Sequence, residues 1–114
     1  MTPTGVLIPT SDMDAAVTFL RDVVRLPLKF RDGDRYCAFQ LGDLVLALVG
    51  EDERIVPAPA LTVRAEDLAG ALAAAVAGGG RIERPPERGP HEHRAVVEIP
   101  GGGLVVLSAK LAAA

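Results

Sequence analysis

Apolar and polar positions along the chain write one pattern twice. Gly5-Val6-Leu7-Ile8-Pro9 is a short apolar run closed by Thr10-Ser11-Asp12, and Ala60-Leu61-Thr62-Val63-Arg64-Ala65 is closed in the same way by Glu66-Asp67. Each run reads as a buried strand, because it is short, apolar and bounded by turn-type residues. Behind each acidic residue the apolar period lengthens to that of a helix. Met13, Ala16, Val17, Leu20, Val23 and Val24 form one stripe that must end before Pro27, and the alanine-rich stretch from about Asp67 to Val76 ends at Gly78-Gly79-Gly80. Ser11 is the predicted N-cap of the first helix, with Asp14 completing a variant capping box.

Three strands follow each helix. In the first copy they are Leu28 to Asp32, Tyr36 to Leu41 and Leu44 to Val49, joined by the turn-forming Asp32-Gly33-Asp34 and Gly42-Asp43. In the second they are Arg81 to Arg84, Arg94 to Ile99 and Leu104 to Ala109, with a hairpin turn at Pro100 to Gly103. The chain therefore predicts two βαβββ modules, at about 5–50 and 60–110, in one domain spanning 1–114. Residues 51–59, charged and then proline-bearing, form the connector. The second copy is a few residues longer, and the polar stretch Pro85 to His93 is the predicted site of the insertion.

Composition narrows the partners. With 114 residues, 49% hydrophobic, the chain can close one core, and its net charge of −3, with both signs scattered, leaves no basic stripe for nucleic acid. No apolar run approaches the roughly 20 residues of a membrane span. A lone Cys37 cannot form an internal disulfide and no leader-like segment precedes Gly5, so a cytoplasmic location is expected.

Candidate chemistry is sparse. His91 and His93 are the only histidines, and in an extended segment both imidazoles would share one face with Glu92 on the other. They can be a solvated loop, a ligand-contacting loop or the start of a metal site that lacks further donors. Cys37, between Tyr36 and Ala38 in an alternating strand, reads as a buried small residue, and Ser108 has no context of an activated serine. Gly101-Gly102-Gly103 precedes a strand, whereas phosphate loops open helices.

Two βαβββ modules with an acidic residue opening each helix resemble the vicinal oxygen chelate superfamily, which includes glyoxalase I, extradiol dioxygenases and bleomycin resistance proteins. Ser-Asp-Met-Asp-Ala-Ala-Val-Thr-Phe-Leu at 11–20 is similar to its helix-opening signature, and Ile99-Pro100-Gly101-Gly102-Gly103 to its turn before the last strand. The resemblance implies an α+β fold in which the modules form a cup-shaped mixed sheet with the helices outside. It also implies where a divalent metal would be held. Those positions are occupied here by Gly5, Ala60 and Val106, with Leu44 to Leu48 in the matching region of the first copy, and none offers a donor side chain.

By strand alternation the cup would then be lined by Gly5, Leu7, Ala60, Thr62, Arg64, Leu104, Val106 and Ser108, joined by Tyr36, Ala38 and Gln40 as the more polar side of the middle strand. Leu7, Tyr36, Gln40, Thr62, Arg64, His91, His93, Leu104, Val106 and Ser108 are the candidate ligand contacts, with Arg64 suited to an anionic group. The expected function is metal-free binding of a hydrophobic or amphipathic small molecule, such as an antibiotic, by a homodimer like the bleomycin resistance proteins, without a cofactor. A metal-dependent lyase, isomerase or dioxygenase with relocated ligands, and a non-binding scaffold for protein association, remain alternatives. The few aromatic residues, Phe19, Phe30, Tyr36 and Phe39, count against a drug-stacking version.

Overall fold

The computed structural model describes residues 1–111. Its elements follow the predicted order: β1 (Thr2–Pro9), α1 (Met13–Thr18), β2 (Leu28–Asp32), β3 (Tyr36–Leu41), β4 (Leu44–Val49), β5 (Ala60–Arg64), α2 (Leu68–Ala77), β6 (Arg81–Arg88), β7 (Glu92–Glu98) and β8 (Leu104–Lys110). The fold is α+β. Contacts divide it into two compact units, Gly5–Pro59 and a second formed by Ala60 onward together with Met1–Thr4.

Each unit is a βαβββ module with a mixed sheet, and the two share one topology. In module one the strands lie in the order β2-β3-β4-β1, with β1 parallel to β4 and the other pairs antiparallel. In module two the order is β6-β7-β8-β5, with β5 parallel to β8. A parallel first and last strand requires a crossover, and the helix of each module supplies it.

The helices cover one face of each sheet. Met13 and Val17 of α1 pack with Cys37, Phe39, Leu46 and Leu48, and Leu68, Ala71 and Leu72 of α2 pack with Val63, Ala95, Val97, Leu107 and Ala109. These strand residues alternate, as one buried side of a pleated sheet requires. Cys37 is fully buried, and burial pushes its thiol pKa up while the Arg31 charge opposes the shift. Such a thiol holds its proton and is a core residue.

Several local expectations need correction. The N-cap of α1 is Asp12, whose carboxylate accepts from Ala15 N at 3.1 Å, and not Ser11; Thr10 instead turns the chain through Asp12 N at 3.1 Å. Asp67 caps α2 in the same way through Gly70 N at 3.1 Å. After Thr18 the first helix widens into a π-helical turn over Phe19–Val23 and closes at Arg25, whose φ is +65°. Within the connector Ile55 and Val56 are buried, and Arg54 donates to the carbonyls of Val56 and Pro57.

Pro85 to His93 is mostly strand. β6 runs on to Arg88, with Pro85 and Pro86 inside the register shift between Arg84 and Glu87. β6 has a partner in its module only on the β7 side, and a proline's missing N–H is tolerated at such an edge or bulge. The extra length of the second copy is thus a longer β6–β7 hairpin. β1 likewise begins at Thr2, three residues before the apolar run.

Candidate functional site

The face of each sheet that its own helix leaves uncovered carries most of the expected contacts. In module one, Val6 and Ile8 lie level with Leu46 and Leu48 on the helix side, so Gly5 and Leu7 lie on the open side. Cys37 and Phe39 pack under α1, which turns Tyr36, Ala38 and Gln40 to that same open face. Phe30 joins them, because a register shift at Lys29 brings it opposite Ala38; its ring lies 6.3 Å from that of Tyr36 at 45°. Two of the four aromatic rings therefore sit together, with Phe30 57% exposed. Gln40 is held locally: its amide donates to the carbonyls of Gly42 and Leu44, bracing the β3–β4 turn.

In module two the register puts residues of successive strands into rows. Thr62, Val106 and Val96 form one row on the open face, and Arg64, Ser108, Arg94 and Glu87 form the next. Leu104 lies level with Glu98, and Lys110 with Glu92, on that face. Val96 and Val106 are buried, whereas Arg64 is exposed and has no side-chain hydrogen bond or ion pair among the described residues. Thr62 accepts a hydrogen bond from Thr4, Oγ1 to Oγ1 at 2.9 Å.

His93 is not with them. It lies level with Ala109, on the α2 side of the sheet, and His91 sits in the β6–β7 turn; both are exposed. Arg94, Lys110 and Phe30 share the open faces and were not among the sequence candidates. Alternation carried along β7 from Val97 would have placed Arg94, but the shift at Lys29 hides Phe30.

The donor set does not fit the divalent ion that the fold family implies. A Cβ placed on Gly5 would lie 1.7 Å from the Val45 carbonyl oxygen, so the backbone of β4 fills the space in which any side chain would begin. Ala60 and Val106 carry no donor atom, and among the described residues no group of three or more His, Cys, Asp or Glu could hold a metal ion.

Two clefts flank the ends of the sheets. One of about 290 Å³ lies in module one among Asp12, Asp14, Asp34, Arg35 and Asp52. Three of its carboxylates already serve the fold: Asp12 caps α1, and Arg31 bridges Asp14 at 2.6 Å and Asp34 at 3.4 Å. The other, of about 370 Å³, is in module two and is lined by Arg64, Ala65, Glu66 and Lys110. No helix among the described residues is long and apolar enough to cross a membrane.

Comparison with known proteins agrees with this architecture. Residues 4–107 match the family model described as the Glyoxalase/Bleomycin resistance protein/Dioxygenase superfamily. An uncharacterized protein of Mycolicibacterium smegmatis is 32% identical over 105 residues, covering 90% of each chain. Among solved structures, a glyoxalase/bleomycin resistance protein/dioxygenase superfamily member from Vibrio splendidus 12B01 has a TM-score of 0.71 at 16% identity, covering 96% of this chain and 100% of that one. NAD-dependent benzaldehyde dehydrogenase from Legionella pneumophila has a TM-score of 0.78 at 12% identity, covering 93% and 97%. At such identities the structural likeness shows the fold alone.

Proposed function

This chain belongs to the glyoxalase/bleomycin resistance protein/dioxygenase superfamily, and from that premise we propose that it binds a small amphipathic molecule on its open sheet faces without a metal ion. The observation that carries the proposal is Gly5. Where the family likeness calls for a metal ligand, the chain has a glycine whose side-chain space is taken by Val45. Leu7, Phe30 and Tyr36 on the open face of module one, and Thr62, Leu104 and Ser108 on that of module two, each combine apolar side chains with hydroxyls, the composition of a site for small organic ligands. The Phe30–Tyr36 pair bears on the scarcity of aromatic residues, since two of the four rings sit together on the uncovered face.

An antibiotic is one member of this ligand class, and sequestration without turnover is the activity that a site lacking metal donors supports. The homodimer implied by the family belongs to the same proposal; exposed Phe19, Val23 and Val24 on the π-helical turn supply apolar surface for it. A second reading, an association scaffold, draws on Val96 and Val106, which are buried although their side of the sheet faces away from α2.

The test is titration of chelator-treated protein with N-phenyl-1-naphthylamine, a neutral fluorescent probe, alongside elemental analysis after incubation with zinc, iron, manganese and nickel. Saturable binding that added metal leaves unchanged is expected. Near-stoichiometric metal retention, lost in a His91→Ala, His93→Ala variant, would overturn the metal-free reading, and absence of saturable probe binding would favour the scaffold.

A further inference from the structure

The ligand-binding reading leaves open what polar group the ligand carries, and one pair of hydroxyls in module two bears on that. Resting on that reading, we propose that the Thr4–Thr62 pair is a subsite for an uncharged hydrogen-bond acceptor, a carbonyl or ether oxygen, carried on an apolar ligand.

The path of β1 brings the two hydroxyls together. Met1–Thr4 belongs to the same compact unit as β5, whereas the ladder of β1 with β4 begins only at Gly5. Gly5 itself has φ +152°, a strand irregularity that falls where the chain passes from one unit to the other. Thr4 Oγ1 meets Thr62 Oγ1 at 2.9 Å, and Thr62 lies level with Val106 on the open face of module two.

The pair has one proton to spare. A threonine hydroxyl carries one proton and two lone pairs, and the bond between Thr4 and Thr62 uses a single proton. With Thr4 donating, the Thr62 O–H has no acceptor among the described residues, and a hydroxyl that already accepts a bond donates more strongly. The surroundings decide which acceptor suits it. Val106, level with Thr62, and Val96, level with Val106, are both buried. Ala60, two residues before Thr62 on the same face of β5, is buried as well, and half-buried Leu104 stands two residues before Val106 on β8. Thr62 is itself half-buried, so its hydroxyl is open to a ligand while its flanks are dry. An ionised group would lose its hydration there for one hydrogen bond, whereas an uncharged oxygen gives up far less. The arginines of this face do not alter that balance: Arg94 turns over Gly89 toward Glu87, and exposed Arg64 lines the cleft with Glu66 and Lys110.

The experiment compares two neutral competitors that differ in one group, 2-acetylnaphthalene and 2-ethylnaphthalene, as they displace N-phenyl-1-naphthylamine. The quantity read is the ratio of their affinities, because the difference in their hydration is the same for every variant. A Thr4→Val, Thr62→Val double variant keeps the shape of both side chains and leaves no hydroxyl without its partner. It should lower the ratio about fivefold, the equivalent of about 1 kcal/mol, by weakening the ketone and not the hydrocarbon. Thr62→Ser restores the hydroxyl and should keep the native ratio, as should Thr18→Val, the same exchange at an exposed position of α1. Folding is checked by circular dichroism, and Thr62→Val alone stands in if the double variant does not fold. A ratio unchanged by the valine exchange, or one that falls equally in Thr62→Ser or Thr18→Val, overturns the subsite alone, as does failure of both competitors to displace a bound probe. If the probe itself does not bind saturably, the binding reading fails and the subsite fails with it.

Discussion

Replacing Gly5 by alanine tests whether β4 leaves room for any side chain at position 5. The added Cβ would lie 1.7 Å from Val45 O and 2.7 Å from Val45 C, both backbone atoms that no rotamer change can move aside. Gly5 also has φ +152°, a conformation L side chains rarely adopt. Relief requires β1 to retreat from β4 by more than an ångström, at the point where their parallel ladder begins. Overpacking costs about 1–3 kcal/mol and an unfavourable backbone conformation about 1–3 kcal/mol. A loss of about 4 kcal/mol is therefore expected, against the 5–15 kcal/mol that typically separates folded from unfolded chains.

Gly42 isolates the backbone component. Its φ is +62°, but a Cβ there meets nothing within 4 Å, so Gly42→Ala carries strain without collision. That substitution should cost only about 1–2 kcal/mol. In urea unfolding, Gly5→Ala should lower the midpoint by roughly 2 M with an unchanged slope, and Gly42→Ala by about 0.5–1 M, if the slope is about 2 kcal/mol/M. A Gly5→Ala midpoint no lower than that of Gly42→Ala would refute the close approach of β1 and β4. It would also remove the reason why a metal ligand cannot stand at position 5.

The two helix caps should behave alike: Asp12→Ala and Asp67→Ala should each cost about 1 kcal/mol, measured by thermal unfolding near neutral pH. Arg25→Gly should stabilise the fold by about 0.5–1 kcal/mol, because glycine accepts φ +65° more readily; a lowered melting temperature would contradict that. The raised Cys37 pKa makes the native thiol keep a proton that the unfolded chain releases, so stability should fall as pH rises above the ordinary thiol value of about 8.5, by up to about 1.4 kcal/mol per pH unit. Cys37→Ala should flatten that fall between about pH 8.5 and 10, read as urea midpoints, and an undiminished slope would rule the thiol out as its source.

Hydropathy made the modules legible because each strand is covered on one face by a single helix. Burial then follows strict alternation, and Cys37 and Phe39 fall under the helix as the less polar side of the middle strand, as Leu46 and Leu48 do in the strand beside it. The failures lie where backbone hydrogen bonding overrides composition. Pro85 and Pro86 signal a break, yet they occupy a register shift in β6, where a missing N–H costs little. Ser11 is as good a capping residue as Asp12, and only the path of the chain decides between them: Thr10 folds back on Asp12 N and turns the Asp12 carboxylate toward Ala15.

The candidate site was less legible, and for a reason specific to sheets. Alternation says which side of a strand a residue faces, but not which residue of the next strand stands beside it. Thr62, Arg64, Val106 and Ser108 were placed on one face by parity alone, whereas the neighbourhood of Arg64, Ser108 and Arg94 depends on the pairing of β5 with β8 and of β8 with β7. His93 shows the converse. Its spacing from His91 suggested a shared ligand-facing pair, but Arg94 faces away from α2, so its neighbour His93 must lie on the helix side. A one-residue shift in β7 would exchange the two and turn every side chain of the strand to the opposite side of the sheet. The register instead levels Arg94 with Ser108 on one side and Glu87 on the other, and its guanidinium turns to the Glu87 side, over Gly89, so the direction in which a long side chain leans is a further choice that neither alternation nor register makes.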